Sequence, residues 1–214
     1  MAAATIDELL VGDEGALWSA LGFDVDDGAC QIGAVTLRFL ADDPRRGIVG
    51  WSLRELTDTA LDGLESARSE QPLRPPGPTH ANGVVSIDHV VAMSPALDRT
   101  VAALRASGLD LRRIRDEPTP AGAPRQAFFR LGAEILEVIQ EPEQAIARGG
   151  GPDHPARFWG LALNVADLDR TVEWLGERCS PPRPAVQPGR RIATLRRSAG
   201  LAVPVALMTP RAPT

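Results

Sequence analysis

The sequence predicts an α+β protein built on a repeated strand-helix-strand-strand-strand unit, and three observations carry that reading. The pentapeptide Leu-Asp-Arg-Thr-Val occurs twice, at 97–101 and 168–172, each time just after a short apolar run of β character, 87–93 in the first copy and 158–164 in the second. Both copies place apolar residues at helical spacing, Leu97, Val101 and Leu104, then Leu168, Val172 and Leu175. Both then close on two β-rich stretches separated by a turn of small residues. A repeat of this length is one supersecondary unit stacked on its copy.

Taken in chain order, residues 1–80 are an N-terminal segment plus linker. Strands are expected at 6–11, 31–40 and 48–53, with helices at 13–21 and 59–67. The run 6–11 parallels 87–92, and 31–40 with its Gly33-Ala34 turn parallels 130–139, so the segment reads as a shortened copy of the unit. Residues 48–67 read as the strand and helix of a further copy cut short. The alternative is chance likeness between short strand–helix segments. Three short strands are too few to bury both faces of a sheet, so they are expected to pack against the larger segment. The Pro/Gly-rich stretch 71–83 suits neither helix nor interior strand and reads as a linker.

Residues 81–214 hold the two full units, 84–142 and 156–209. In the first, Ser94 is the expected helix starter, a short strand lies at 111–115, and 127–131 turns at Gly132-Ala133 into 135–140. In the second, Asp167 starts the helix and 192–196 turns near 198–200 into 202–208. Pro204 lacks a donor for the ladder, so that last strand is expected at an edge or distorted. Stretches 143–156 and 180–190 read as loops.

Composition removes several function classes. The chain has 214 residues, 43% hydrophobic, with a formal net charge of −5. That is enough apolar material for a core. Without a cluster of cations it is a poor grip for nucleic acid or an anionic membrane, and neither is an expected partner. No apolar run approaches the roughly 20 residues of a membrane-spanning helix. The first residues lack the layout of a signal peptide, and a cytoplasmic location is expected. There is no lysine and no tyrosine, which excludes Schiff-base chemistry, a phosphate-loop lysine and a tyrosine acid/base. Cys30 and Cys179 stand alone and suggest neither a disulfide framework nor a cysteine metal site. The histidines are His80, His89 and His154, of which His80 and His154 fall in Pro/Gly loops and read as solvated.

The paired units resemble the glyoxalase/bleomycin-resistance/dioxygenase group, the vicinal oxygen chelate superfamily. The resemblance covers about 84–210. It rests on Ile87-Asp88-His89-Val90-Val91 with the Leu-Asp-Arg-Thr-Val helix, and on the final strand Leu136-Glu137-Val138-Ile139. It implies a curved half-barrel from each unit and an open cup holding a small ligand. It also implies metal ligands from the first and last strands of each unit in those members that are metal enzymes. Here the first unit supplies His89 and Glu137. The repeat register puts Gly160 opposite His89, and aligning Pro142 with Pro210 puts Val205 opposite Glu137. In the N-terminal segment the matching positions are Glu8 and Arg38. Two protein ligands rarely hold a divalent ion tightly, so no cofactor is expected. The alternative is a divalent metal such as Zn, Ni, Mn or Fe on His89 and Glu137, its sphere completed by water or substrate.

Strand alternation names the rest of the face. Val91 and Met93 accompany His89, and Ile135 and Ile139 accompany Glu137. A two-residue turn at Gly132-Ala133 puts Phe128 opposite Glu137 and Arg130 opposite Ile135. In the second unit the expected inward set is Gly160, Ala162, Asn164, Val203, Val205 and Leu207, with Arg196 in the place of Phe128. The candidate catalytic pair is therefore His89 and Glu137. The candidate substrate-binding residues are Val91, Met93, Phe128, Arg130, Ile139, Asn164 and Arg196. An apolar concavity with a few convergent polar groups is how small-ligand sites usually look. The competing reading has the arginines snorkelling to surface carboxylates.

Two function classes remain. One is a metal-independent protein binding a small, partly apolar molecule, for which the arginines allow an anionic group. The other is a metal-dependent lyase, isomerase or dioxygenase. A third, plainer option is that the N-terminal segment fills the cup and the protein serves only in association, and a homodimer is compatible with the sequence.

Overall fold

The computed structural model describes residues 3–118, 122 and 124–211. In chain order the first elements are β1 (Thr5–Val11), α1 (Gly15–Ser19), β2 (Ala29–Ile32), β3 (Val35–Phe39), β4 (Ile48–Arg54) and β5 (Ser66–Arg68). The first full module follows as β6 (Val84–Ser94), α2 (Leu97–Ala106), β7 (Asp110–Arg115), β8 (Gln126–Leu131) and β9 (Glu134–Gln140). After α3 (Glu143–Arg148) comes the second module: β10 (Arg157–Val165), α4 (Leu168–Leu175), β11 (Arg183–Pro184), β12 (Arg191–Thr194) and β13 (Val205–Met208). The fold is thus α+β with two strand-helix-strand-strand-strand modules, and its strands form open sheets of five and eight strands. Among the described residues, no helix is long and apolar enough to cross a membrane.

The chain divides into two compact units, and each draws on both halves of the sequence. The first comprises the chain up to Asp7, Gly50–Gln71 and His89–Trp159. Its strands run in the order β6-β9-β8-β7, with β6 and β9 parallel and the two hairpin contacts antiparallel. Leu97, Val101 and Leu104 of α2 are buried, as are Ala127, Phe129, Leu136 and Val138 on one face of the β8–β9 hairpin. The opposite face of that hairpin carries the candidate site. β4 and β5 pair in parallel, and Trp51 of β4 meets Phe158 edge-on at 5.0 Å. Arg54, buried at the end of β4, pairs with Asp7 and donates to the carbonyls of Ile6 and Gln71.

The second unit comprises Glu8–Val49, Pro72–Asp88 and the chain from Gly160 onward. Its strands run β11-β12-β13-β10 in one sheet and β2-β3-β1 in the other. β1 and β3 are parallel, and β2 turns into β3 at Gly33-Ala34, pairing Ile32 with Val35. That is the same two-residue turn as Gly132-Ala133, where Leu131 pairs with Glu134. Gly33 and Gly132 both have positive φ (61° and 74°), which glycine adopts without the clash a Cβ would cause. Trp18 is fully buried against Phe23 and Phe39.

Several sequence expectations are corrected. Residues 59–67 form no helix: Asp62 and Gly63 both have positive φ, and the chain recovers as β5, a strand parallel to β4. Ser94 does not cap α2. Its hydroxyl accepts from the Ala96 amide, two residues before the N-cap position, and the Gln140 side chain accepts from Leu97 N–H instead. Asp167 does cap α4, taking the amides of Asp169 and Arg170. The stretch 143–156 is not all loop, because Glu-Gln-Ala-Ile-Ala-Arg behind Pro142 forms α3 before Gly149 ends it. Pro204 stands just before β13, which is an interior strand, so its missing donor costs the ladder nothing.

Candidate functional site

Strand register in the first unit assembles one continuous face. On β6 and β9, His89 pairs with Ile135, Val91 with Glu137 and Met93 with Ile139. On β9 and β8, Glu137 pairs with Phe128, Ile135 with Arg130 and Ile139 with Gln126. Directly paired residues point to the same side of a sheet. His89, Val91, Met93, Phe128, Arg130, Glu137 and Ile139 therefore share the face that alternation predicted.

At its centre, His89 Nε2 lies 3.3 Å from Glu137 Oε2, and the two side chains are only 14% and 13% exposed. The Gln126 amide donates to the other carboxylate oxygen, Oε1, and so holds the carboxylate from its far side. Gln126 is itself buried, and its own Oε1 has no hydrogen-bond partner among the described residues. The pair sits among apolar and aromatic neighbours, with cations at the margin. Arg113 lies with its guanidinium carbon 5.1 Å from the centre of the Phe128 ring. Arg130 is exposed and donates to the Gly132 carbonyl of its own hairpin at 3.0 Å. Among the described residues no ion pair of Arg130 with a surface carboxylate is seen.

Sequence reasoning missed Gln126 and Arg113 for different reasons. Gln126 has the parity of Phe128 and was lost only because the hairpin begins one residue earlier than 127. Arg113 was not reachable by parity. A register shift between Leu111 and Arg113 passes over Arg112 and sets Arg113 opposite Phe128.

The second module does not repeat the site, and its register differs by one from the expected alignment. Leu161 pairs with Val205 and Ala162 with Ala206, so Ala206, not Val205, matches Glu137. Val205 and Leu207 point to the buried side, as a one-residue slip requires. β12 ends at Thr194, which pairs with Ala206 and stands where Phe128 stands in the first module. Arg196 lies past the strand. Gly160 matches His89, but a Cβ there would sit 2.6 Å from the Pro204 carbonyl oxygen, so no side chain fits. Asn164 is used on both ends, donating to Ser86 Oγ at 3.0 Å and accepting from Arg190 at 2.8 Å. Asn164 and Arg196 belong to the second unit.

The other histidines are not solvated. His80 is 4% exposed, accepts from the Asp24 amide at 3.0 Å on Nδ1, and lies 3.9 Å from Cys30 Sγ through Nε2. Burial holds His80 below the usual histidine range and pushes the Cys30 thiol up to about 12, so Cys30 is no nucleophile at neutral pH. His154 is half-buried, 3.5 Å from the buried Glu141, whose other oxygen meets Arg157 at 3.2 Å.

A divalent ion on this face would take His89 and Glu137 as its protein donors, with water or substrate completing its sphere. His89 and Glu137 are two donors where catalytic centres use about three from the protein. Their register equivalents are Gly160 and Ala206 in one module, and the ion-paired Glu8 and Arg38 in the N-terminal strands. Among the described residues no group of three or more His, Cys, Asp or Glu could hold a metal.

No family model and no curated protein matches the chain. Solved structures do. Methylmalonyl-CoA epimerase from Mycobacterium tuberculosis is 20% identical over 62% of this chain and 92% of its own, with a TM-score of 0.49. A variant of the Streptomyces coelicolor epimerase in complex with 2-nitronate-propionyl-CoA is 24% identical over 60% and 99%, at 0.47. A hypothetical protein from Bacillus halodurans is 15% identical over 60% and 96%, at 0.48. The epimerases and related structures are members of the glyoxalase, or vicinal oxygen chelate, superfamily. This chain is itself a sheet-rich α+β fold with open sheets.

Proposed function

We propose that the first unit binds a small, partly apolar molecule carrying an anionic group, and that His89 and Glu137 exchange a proton with it without a resident metal. The observation that carries this reading is the His89–Glu137 contact at 3.3 Å, set on a face that also carries Val91, Met93, Phe128 and Ile139, with Gln126 against the carboxylate and Arg130, opposite Asp110, at the margin. Val91, Met93, Phe128 and Ile139 offer apolar surface, while Arg113 and Arg130 supply the charge that an anion needs at the margin. An imidazole against a carboxylate, both largely shielded from water, is an arrangement suited to general acid/base work. Gln126 fixes the carboxylate so that the geometry is set before the ligand arrives.

Calorimetry of the intact chain with phenylacetate and hexanoate, against phenylacetamide and hexanamide, tests the reading. The carboxylates should bind and the amides should be weaker by about tenfold or more, the value of one lost charge-assisted hydrogen bond. Arg113→Ala and Arg130→Ala should each erase part of that preference, and Glu137→Gln should weaken binding of both series. Equal binding of acid and amide, or binding untouched by all three variants, would return the set to structure.

A further inference from the structure

The second unit contains a cavity of about 280 Å3 that the proposed activity does not use, lined by Asp24, Asp26, Gln31, Thr36, Arg74 and His80, with Ala29 and Pro78 completing the wall. Its position follows from register. Gln31 pairs with Thr36 and Ala29 with Arg38 across β2 and β3, while Glu8 of β1 pairs with Thr36. Ala29, Gln31, Thr36, Arg38 and Glu8 therefore share one face. In the first module Phe128, Arg130, Ile135, Glu137 and His89 hold the matching places, in the same order of pairing. The cavity thus opens on the face that, in the first module, carries the candidate site. The places of the acid/base pair are filled by a salt bridge, Arg38 Nη2 to Glu8 Oε1 at 2.7 Å.

The remaining wall comes from Asp24 and Asp26, just before β2, and from the stretch that reads as a linker in the sequence. That stretch is bound down along the strands: Gly77 N–H donates to Gly33 O at 2.9 Å, Gln31 Nε2 to Pro75 O at 2.7 Å, and Arg74 Nη1 to Thr36 Oγ1 at 3.0 Å. Prolines 75, 76 and 78 restrict the free chain, so little order is left to impose on binding. A Cβ on Gly77 would sit 3.1 Å from the Gln31 carbonyl oxygen, which is why the strap can lie this close.

The lining carries both signs of charge. Asp24 and Asp26 are exposed carboxylates at its rim, and one Arg74 nitrogen donates to Thr36 Oγ1. His80 is buried with Nδ1 already accepting a hydrogen bond, so it adds a fixed polar wall. The volume falls just under the roughly 300–1,000 Å3 usual for small-molecule sites, so the ligand must be small. We infer that this cavity is a second binding site, for a small zwitterion bearing an ammonium and a carboxylate, of the size of an α-amino acid with a short side chain. The ammonium meets Asp24 and Asp26, and the carboxylate meets Arg74.

The test is titration of the intact, isotopically labelled chain with L-alanine and L-serine, followed by the backbone amide shifts of Gln31, Thr36 and Gly77 and by calorimetry. Ethylamine and propionate serve as the single-charge controls. Saturable shifts at those amides are expected with the amino acids, with at least about tenfold weaker binding of either control. Asp24→Asn with Asp26→Asn should abolish binding. Arg74→Ala should do the same, while Arg74→Lys, which keeps the charge, should retain part of it. His89→Ala should leave amino-acid affinity and the shifts at these amides as in the parent, whatever it does to the first unit, which separates the two sites. No saturation at about 10 mM, ethylamine or propionate binding as tightly as the amino acids, or amino-acid binding untouched by the Asp24, Asp26 and Arg74 variants would overturn the inference.

Discussion

Two strand pairs of this chain share a register and differ in what they hold. In β6 and β9, His89 faces Ile135 and Glu137 lies two residues on; in β1 and β3, Glu8 faces Thr36 and Arg38 lies two residues on. The first pair is an imidazole against a carboxylate, nearly shielded from solvent. The second is a guanidinium against a carboxylate, with Arg38 44% exposed. In β10 and β13 the same places hold Gly160 and Ala206 and offer nothing. The scaffold therefore fixes where two side chains meet and leaves their chemistry open. The second pair cannot exchange a proton through its cation, since guanidinium never loses its own.

The largest effect expected from breaking this comparison comes from β1 itself, where neighbouring carboxylates face opposite sides. Asp7 is buried and pairs with the buried Arg54, with Ser69 as a further donor. Asp7→Ala leaves that guanidinium buried without its counter-charge, and loss of about 3–5 kcal/mol is expected. Urea denaturation of the two chains measures it. A loss below about 1 kcal/mol would show that Arg54 finds another acceptor and that β1 is not tied down there.

Next in size is Gly160→Ala, which asks whether the third pair is closed by geometry or merely by history. The added methyl meets the Pro204 carbonyl at 2.6 Å, and backbone on both sides must shift. A loss of about 1–3 kcal/mol is expected, as for other overpacked sites. A neutral result would mean that the position can carry a side chain, and the argument that it cannot hold a ligating group would fall.

How far these contrasts were legible in the sequence depends on what sets each position. The face around His89 was legible because alternation and one two-residue turn determine it, and both are local. Val205 was misassigned because proline counting at the chain's end gave a register off by one, and a slip of one turns every side chain over. The helix expected at 59–67 failed on Asp62 and Gly63, whose left-handed backbone is set by the surrounding structure and not by apolar spacing. His80 read as solvated because Pro and Gly surround it, yet those residues lie as an anchored strap, a tertiary fact. Arg113 depended on a bulge, which no periodicity encodes.

A pair of pH profiles sharpens the comparison between units, because their buried groups titrate with opposite sign. Burial raises Glu134 in the first unit, with Arg54 opposing the shift. Its folded form favours the proton, so its stability contribution is full below the ordinary carboxyl range and is lost as pH rises through the raised value. Burial lowers His80 in the second unit. Its contribution is full above the ordinary histidine range and is lost as pH falls through the lowered value. Glu134→Gln should therefore gain on the parent chain as pH rises from acid to neutral, and His80→Gln should gain on it as pH falls below about 6. Thermal unfolding across pH 4–8, roughly the span of the two ordinary ranges, reads both. Parallel profiles for parent and variant would show that neither group couples to folding.

The smallest expected effect belongs to the pair that sets the comparison in motion. Arg38 donates to Glu8 through two nitrogens, at 2.7 and 3.4 Å, yet it is 44% exposed and the pair is open to salt. Exposed pairs contribute about 0–1 kcal/mol, because solvent screens the attraction and ordering two long side chains opposes it. Glu8→Gln should thus cost less than about 1 kcal/mol, beside several for its neighbour Asp7, and a double-mutant cycle with Arg38→Met should give a coupling that shrinks with added salt. The result bears on more than stability. If the coupling instead reaches the size of a buried pair, the N-terminal strands need Glu8 and Arg38 in place, and the two positions are held by structural demand. A coupling near zero leaves those positions free of such a demand, so that the difference from His89 and Glu137 is one of chemistry alone.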